Sequence, residues 1–181
     1  MNLAELKNEM PKIFKKVKND VKRVLGRHRV GLSLGLVDMG IYQGGFIGGM
    51  HFSPGTDIVL NRSPLRVILE SQPYEIVWAY TYHILLHEYI HSLRFIKGVD
   101  TEGKPKNLSL DDENLCREVT LTVSREIFKE ADHPAIILAE HGIGIFIPNL
   151  KVTNISPFRR PDGMIIEYIT DFDEESHSYY S

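Results

Sequence analysis

The feature that most constrains this chain is an apolar run over residues 74–96 that contains a His-Glu-x-x-His motif, with His87, Glu88 and His91 as its fixed positions. On a helix of about 3.6 residues per turn, His87 and His91 lie one turn apart on one face. Two imidazoles so placed can bind a single tetrahedral zinc ion, with Glu88 beside it as general base. The run therefore predicts a helix that carries a zinc site.

Other polar side chains share the face of this predicted helix. At about 100° per residue, His83, Tyr80 and Arg94 fall within roughly 40° of His87. Burying three imidazoles on one face without partners would be costly, which favours a shared function. Pro73 suits the first turn of the helix, and Gly98 is predicted to end it.

A catalytic zinc site needs a third protein ligand. The residues after His91 lack the glycine and third histidine of the extended motif, so a carboxylate on the next helix is the alternative. Glu118 is favoured because it flanks an apolar stripe and is followed by small or β-branched residues. Glu126 and Glu113 stay open, although an acid at position 113 is explained by the helix dipole alone. Weaker options are Asp112, His133 and His141.

The rest of the pattern predicts an α+β fold. A basic amphipathic helix is expected within residues 1–29, with Pro11 in the first turn of its main part, a short turn before it, and Gly26 after it. Half-buried alternation predicts a strand over residues 30–37. A hairpin is predicted from a glycine-rich strand and a returning strand over residues 57–61. Other predicted elements are helices at 65–71, from Ser109 or Asp111 to about 129, and at 135–139, a strand or buried turn at 143–147, and a strand at 164–169.

Composition predicts one domain over residues 1–170 and an acidic tail over residues 171–181. The chain has 181 residues, of which 43% are hydrophobic and 25% charged, an ordinary balance for one globular core. The single cysteine, Cys116, excludes an intramolecular disulfide and predicts a zinc site without cysteine. No run is apolar enough to cross a membrane, and the first residues are charged, so a cytoplasmic location is expected.

Charge is unevenly distributed along the chain. Residues 1–30 hold nine Lys and Arg against three acids, a net charge of +6, which leaves −9 for the rest of a chain whose total is −3. The basic part could dock on an acidic partner such as nucleic acid, and a solvated helix face is the alternative.

The order of these features resembles the small zincin-like metallopeptidases, of the minimal gluzincin type, to which SprT-like and ImmA/IrrE-like domains are related. The resemblance covers roughly residues 30–130. It rests on the strand at residues 57–61, the His-Glu-x-x-His helix, and a helix that reads Arg117-Glu118-Val119-Thr120-x-Thr122. It implies a small, twisted, mostly antiparallel sheet packed against the motif helix and a following ligand helix.

The resemblance also implies a zinc-dependent peptidase. His87, His91 and Glu118 would hold Zn²⁺, and Glu88 would take a proton from the attacking water. His83, Tyr80, Arg94, His51 and His141 are candidate donors or outer partners of the site. A peptide or protein substrate would pair with an edge strand at residues 57–61 or 46–52.

Three alternatives stay open at this point: a zinc-binding domain without activity, a nucleic-acid-associated protease, and an accidental motif in a helical protein without metal. A latent enzyme covered by its own tail is a further hypothesis.

Overall fold

The computed structural model describes residues 1–41, 43, 45–52, 56–152 and 163–170. These form a mixed α+β fold, as predicted. The hypothesis of a latent enzyme concerns residues 171–181, which lie outside the described residues. The helices are α1 (Leu3–Leu25), α2 (Arg62–Ser71), α3 (Tyr74–Ser92), α4 (Glu113–Phe128) and α5 (Pro134–His141), with a 3-10 turn at Ile143–Ile145. The strands are β1 (Ser33–Val37), β2 (Gly45–Phe46), β3 (Gly49–His51), β4 (Asp57–Asn61), β5 (Phe95–Val99), β6 (Pro105–Ser109), β7 (Lys151–Val152) and β8 (Glu167–Thr170).

The main sheet of the described residues has the strand order β3-β4-β1-β8. β3 and β4 pair antiparallel, as the predicted hairpin requires, and β8 pairs antiparallel with β1. β1 and β4 are parallel, so the sheet is mixed. β4 lies inside the sheet, and the expectation of an edge strand at residues 57–61 is wrong. Among the described residues the outer strand on this side is β3, within the stretch 46–52 that was the other candidate.

β1 is buried at all five positions, so the predicted half-buried strand is also wrong. One face of the sheet packs with the helices through Leu34 and Leu36. The other face is covered by a second apolar cluster that includes Val37, Val59 and Ile166. Apolar side chains therefore cover both faces of β1, where the small side chains of Ser33 and Gly35 leave room for them.

α1 is one continuous helix that begins eight residues before Pro11. Asn2 and Glu5 form a reciprocal capping box, which starts the helix early, and the predicted break at Pro11 is wrong. Pro11 is tolerated on the exposed face, where water can reach the carbonyl that loses its partner. Gly26 ends the helix with φ of 65°.

Part of the basic charge of α1 is used inside the chain. Lys7 pairs with Glu167 at 2.5 Å, and Lys16 pairs with Asp20 at 3.0 Å. Lys18 is buried with its ammonium over the Phe14 ring. Docking of residues 1–30 on nucleic acid stays a prediction.

α3 is the central helix of the fold. Its side chains are buried on nearly all sides, because α1, α4, α5 and β3 all pack against it. It ends at Ser92 rather than at Gly98. Residues 95–109 instead form the β5–β6 hairpin, whose turn is held by the Asp100 carboxylate accepting from the backbone of Glu102 and Lys104. The hairpin returns the chain to the end of α3, where α4 begins.

Candidate metal centre

Three side chains converge where α3 meets the first turn of α4. One Glu113 oxygen lies 2.7 Å from His87 Nε2, and the other lies 2.8 Å from His91 Nε2. The two Nε2 atoms are 3.1 Å apart. Ligand atoms bound about 2.0–2.1 Å from a tetrahedral zinc ion would lie roughly 3.3 Å apart. The three groups therefore fit a zinc site after a shift of a few tenths of an ångström.

The backbone fixes the ring of His91 for this task. Its Nδ1 lies 2.6 Å from the carbonyl oxygen of Leu110 and donates to it, so Nε2 is the nitrogen that faces Glu113 and can bind a metal once its proton is lost. Leu110 is held in turn by its own N–H, which donates to the Arg94 carbonyl at 2.9 Å. Such an outer hydrogen bond is the usual arrangement around metal-binding histidines.

Glu113 owes its position to the start of α4. Asp112 is the N-cap, and its carboxylate accepts from the N–H of Leu115 at 3.0 Å. The first residue of the helix is then Glu113, beside the end of α3. The N-cap is Asp112 rather than the predicted Ser109 or Asp111.

Glu118 is not at the site. Its side chain is exposed on α4 and does not line the metal cavity, so the expected third position is wrong. Glu126 is also exposed and lies outside the cavity lining. Among the three carboxylates left open by the sequence, the structure brings Glu113 to the two histidines.

Cys116 is the residue that the sequence reasoning missed. It is fully buried one turn after Glu113, and its Sγ lies 3.7 Å from His87 Nδ1 and 3.4 Å from the His87 carbonyl. Donor atoms of His87, His91 and Cys116 all lie within 4.8 Å of one another. The prediction of a site without cysteine therefore overlooked a possible sulfur donor. The spacing of three residues from Glu113 on a helix is the signal that could have found it.

Two donor sets thus overlap on the same histidines. Glu113 faces the Nε2 edges of both rings, whereas Cys116 faces the Nδ1 edge of His87 and also interacts with His91. Since His91 Nδ1 is engaged with Leu110, only Nε2 is available to a metal. The geometry favours Glu113 as ligand and Cys116 as the outer partner that orients His87.

Replacing Cys116 by serine is expected to weaken zinc binding by about tenfold without removing it, because an outer partner and not a ligand is changed. Competition with a chromophoric chelator measures the affinity. Cobalt-loaded wild type should lack a sulfur-to-cobalt charge-transfer band. A strong band, together with complete loss of metal in Cys116→Ser, would instead make the sulfur a ligand.

The charges of the site are tightly coupled. Burial lowers the pKa of His87 and His91, but Cys116 and Glu113 raise it more, so both values lie above the ordinary range. Burial raises the pKa of Glu113, yet hydrogen bonds from the two histidines hold it well below its usual value. Burial raises the pKa of Cys116, but His87 and His91 together lower it more. Without metal, the two histidines therefore hold protons that they share with the Glu113 carboxylate through hydrogen bonds.

A metal ion has to displace these protons, so zinc affinity should fall as the pH is lowered. The expected loss is about tenfold per pH unit for each proton displaced. Zinc titrations at pH 8, 7 and 6, each in two buffers of different ionisation enthalpy, measure both the affinity and the protons released. An affinity independent of pH would show that the histidines are not the ligands.

Glu88 lies on the flank of this centre. Its side chain is 8% exposed and lines a cavity of about 1240 Å³ that also reaches His87, His91 and Glu113. Burial raises the pKa of Glu88, while His87 and His91 oppose that rise. A backbone hydrogen bond from His51 also acts on this carboxylate. Glu88 is therefore available as a base beside the three converging groups.

The remaining predicted site residues fall at different depths. His83 lines the cavity, and burial lowers its pKa to about 3, so its ring is neutral. Its Nδ1 is buried without a hydrogen-bond partner among the described residues.

The other three predicted residues line other parts of the cavity or lie outside it. His51 lines the cavity from β3. His141 lines it from the end of α5, where it is exposed and pairs with Glu140 at 3.4 Å. Tyr80 is buried next to Gly48 and does not line the cavity.

β3 passes very close to α3 at the cavity wall. A Cβ on Gly49 would lie 2.8 Å from the Val59 carbonyl, 2.8 Å from Ile84 and 3.3 Å from the Glu88 side chain. Only glycine permits this approach, so the edge strand and the Glu88 carboxylate are set side by side.

Gly49→Ala is expected to destabilise the fold by about 1–3 kcal/mol, because a rigid carbonyl cannot move away. Gly48→Ala is the matched control, since its Cβ would meet only the ends of the Ile84 and Tyr80 side chains, at 2.8 and 3.3 Å. Urea unfolding compares the two variants. Equal stabilities would contradict the close approach at Gly49.

No protein-family model matches the chain, and no curated protein or solved structure is significantly similar to it. Within the described residues, none of the helices combines the length and apolarity that a membrane crossing requires.

Proposed function

We propose that the chain is a zinc-dependent metallopeptidase of the zincin-like type. The observation that carries this proposal is the convergence of two histidine Nε2 atoms and both Glu113 oxygens within 2.7–3.1 Å, in a cavity that Glu88 also lines. Two imidazoles and one carboxylate are the ligand set of one large class of catalytic zinc sites. The order of a strand, the His-Glu-x-x-His helix and a following helix with a carboxylate also resembles this class, with Glu113 in place of the expected Glu118.

His87, His91 and Glu113 would hold the ion. Bound zinc supplies a Lewis acid that lowers the pKa of a water to about 7 and polarises a carbonyl. Glu88 accepts the proton of the attacking water and passes it to the leaving amine. Its place beside the ligand pair and its raised pKa suit a group that must both accept and return a proton.

The substrate would lie along β3. This strand is one of the two outer strands of the main sheet that the described residues form, and its Gly49 lies next to Glu88. An extended peptide can pair with such an edge through main-chain hydrogen bonds, which brings a peptide carbonyl beside the ligand set. His83 offers a neutral ring at the same cavity wall as a further donor.

The test is zinc-dependent hydrolysis. Purified protein is incubated with an unfolded protein such as casein and with a mixture of peptides, and the products are identified by mass spectrometry. Cleavage should disappear after a chelator and return with one equivalent of zinc. A protein that binds one zinc ion tightly and cleaves none of these substrates would contradict the peptidase proposal and support a structural zinc domain.

A further inference from the structure

The metal cavity continues between α3 and α4 beyond the three converging groups. Glu113, in the first turn of α4, contacts both histidines of the motif, and Cys116 on the next turn contacts the backbone carbonyl of His87, the earlier of the two. A step forward along α4 is thus a step backward along α3. The two helices are therefore antiparallel here, and the residues one turn beyond the ligands on each helix come together.

His83 and Arg117 occupy this next turn. His83 precedes His87 by one turn of α3, Arg117 follows Glu113 by one turn of α4, and both line the metal cavity. Burial, then the charges of His87 and Arg117, lower the pKa of His83, so the guanidinium is close enough to act on the ring. One helical turn is about 5.4 Å long, which sets the distance of this pair from the ligand set.

The charge of Arg117 has no counter-ion in the described part of the chain. Its side chain is exposed, and no hydrogen bond or ion pair involves it among the described residues. Three of the five carboxylates that line the cavity are engaged elsewhere, since Glu113 lies between the two histidines, Asp112 caps α4 and Glu140 pairs with Arg125 at 2.8 Å. The cavity therefore presents a guanidinium that is available to an anion.

His83 offers a hydrogen-bond donor beside that charge. Its Nδ1 is buried without a hydrogen-bond partner among the described residues. A buried N–H without an acceptor is rare in folded proteins, so we assign the proton to the other nitrogen, Nε2. Because the ring lines the cavity, this N–H can donate to a ligand there.

We propose that His83 and Arg117 bind a carboxylate of the substrate in the cavity that also holds the metal ligands. The inference rests on the proposed peptidase function, whose substrate class it narrows. A guanidinium forms paired hydrogen bonds with a carboxylate, and a neutral imidazole adds one further donor. One residue of an extended peptide spans about 3.3 Å, so the carboxylate belongs to one of the two residues nearest the cleaved bond. It is either an acidic side chain or the carboxyl terminus of the substrate.

Binding is measured on zinc-loaded Glu88→Gln protein, so that hydrolysis does not consume the probe. The parent probe is a short dye-labelled peptide of alanine and serine with an amidated carboxyl terminus. One arm leaves that terminus free, the other introduces glutamate at each position in turn, and fluorescence anisotropy gives the affinities. A carboxylate should raise the affinity at least about tenfold, as expected for hydrogen bonds between charged groups. The arm that shows this gain identifies the source of the carboxylate.

Three variants locate the gain in the cavity. Arg117→Gln should remove most of it, and His83→Phe, which keeps a ring but no donor, should remove part of it. Arg23→Gln removes an exposed arginine from α1, outside the cavity lining, and should leave the gain unchanged. The zinc content of each variant is measured, so that a loss of metal is not mistaken for a loss of this contact.

Two results would overturn the proposal. One is that no carboxylate peptide binds more tightly than the amidated parent. The other is a gain that survives Arg117→Gln, because the carboxylate would then bind the metal ion itself. Selective binding without cleavage by the wild type would contradict only the peptidase function, whereas cleavage that does not depend on a carboxylate would contradict only the role of His83 and Arg117.

Discussion

Replacing Glu113 by alanine is expected to lower zinc affinity by at least about a hundredfold, whereas Glu118→Ala leaves it unchanged. Changes in the outer partners of metal ligands already cost about 10–100-fold, so the loss of a ligand should exceed that range. Glu113 contacts both histidine Nε2 atoms, at 2.7 and 2.8 Å. Glu118 is exposed on another face of the same helix.

Zinc content by mass spectrometry and affinity by chelator competition measure this difference. Glu126→Ala serves as a second control, because its exposed carboxylate is also outside the cavity lining. Glu113→Gln, which keeps the shape of the side chain, should lose zinc while the helix and its cap persist in circular dichroism. If Glu113→Ala kept its zinc and Cys116→Ala lost it, the sulfur-containing donor set would be the correct one.

The motif helix could be predicted from the sequence because its signals are local. An apolar run with a polar face, started by Pro73 and Glu75, predicts a long buried helix, and the two histidines lie on one face of any such helix. The part that failed was its end. Gly98 suits a helix terminus, but here it pairs in β5, where Leu108 fills the space that a side chain would take.

The misplaced end of this helix also explains why Glu118 was expected as the third ligand. With a long helix and a loop after it, α4 has no fixed register against α3, and Glu118 in the middle of α4 is a reasonable choice. The β5–β6 hairpin instead pairs Phe95 with Ser109, so the chain returns to the end of α3 before α4 starts. The first turn of α4 then faces His91. The turn at Asp100 and Gly103 was the available signal for this hairpin.

The order of the strands in the sheet could not be predicted from local sequence signals either. The pairing of β3 with β4 joins segments that are close in the sequence, but the pairing of β4 with β1 joins residues more than twenty positions apart. A pattern of alternating residues does not say whether a strand lies inside a sheet or at its edge. Cys116 was overlooked for a related reason, since one cysteine carries no spacing of its own.

Glu88→Gln is expected to lower the rate of peptide hydrolysis by about 10²–10⁴-fold while the protein still binds one zinc ion. Glutamine keeps the size of the side chain and removes the base, so binding and chemistry are separated. Rates on the best peptide found for the wild type, together with zinc content, test this. Activity that survives in Glu88→Gln would exclude Glu88 as the base.

The same substitution should not weaken the fold, which distinguishes a base from a structural carboxylate. Burial raises the pKa of Glu88, so the charged form is held at a cost that a neutral amide avoids. Metal-free Glu88→Gln should therefore melt at the same temperature as the wild type or above it. Glu88→Asp is the matched control, because it keeps a base but draws it back by one methylene from the attacking water. A large loss of stability in Glu88→Gln would mean that its hydrogen bond to the His51 backbone holds β3 against α3, and that the lost activity reflects a displaced strand.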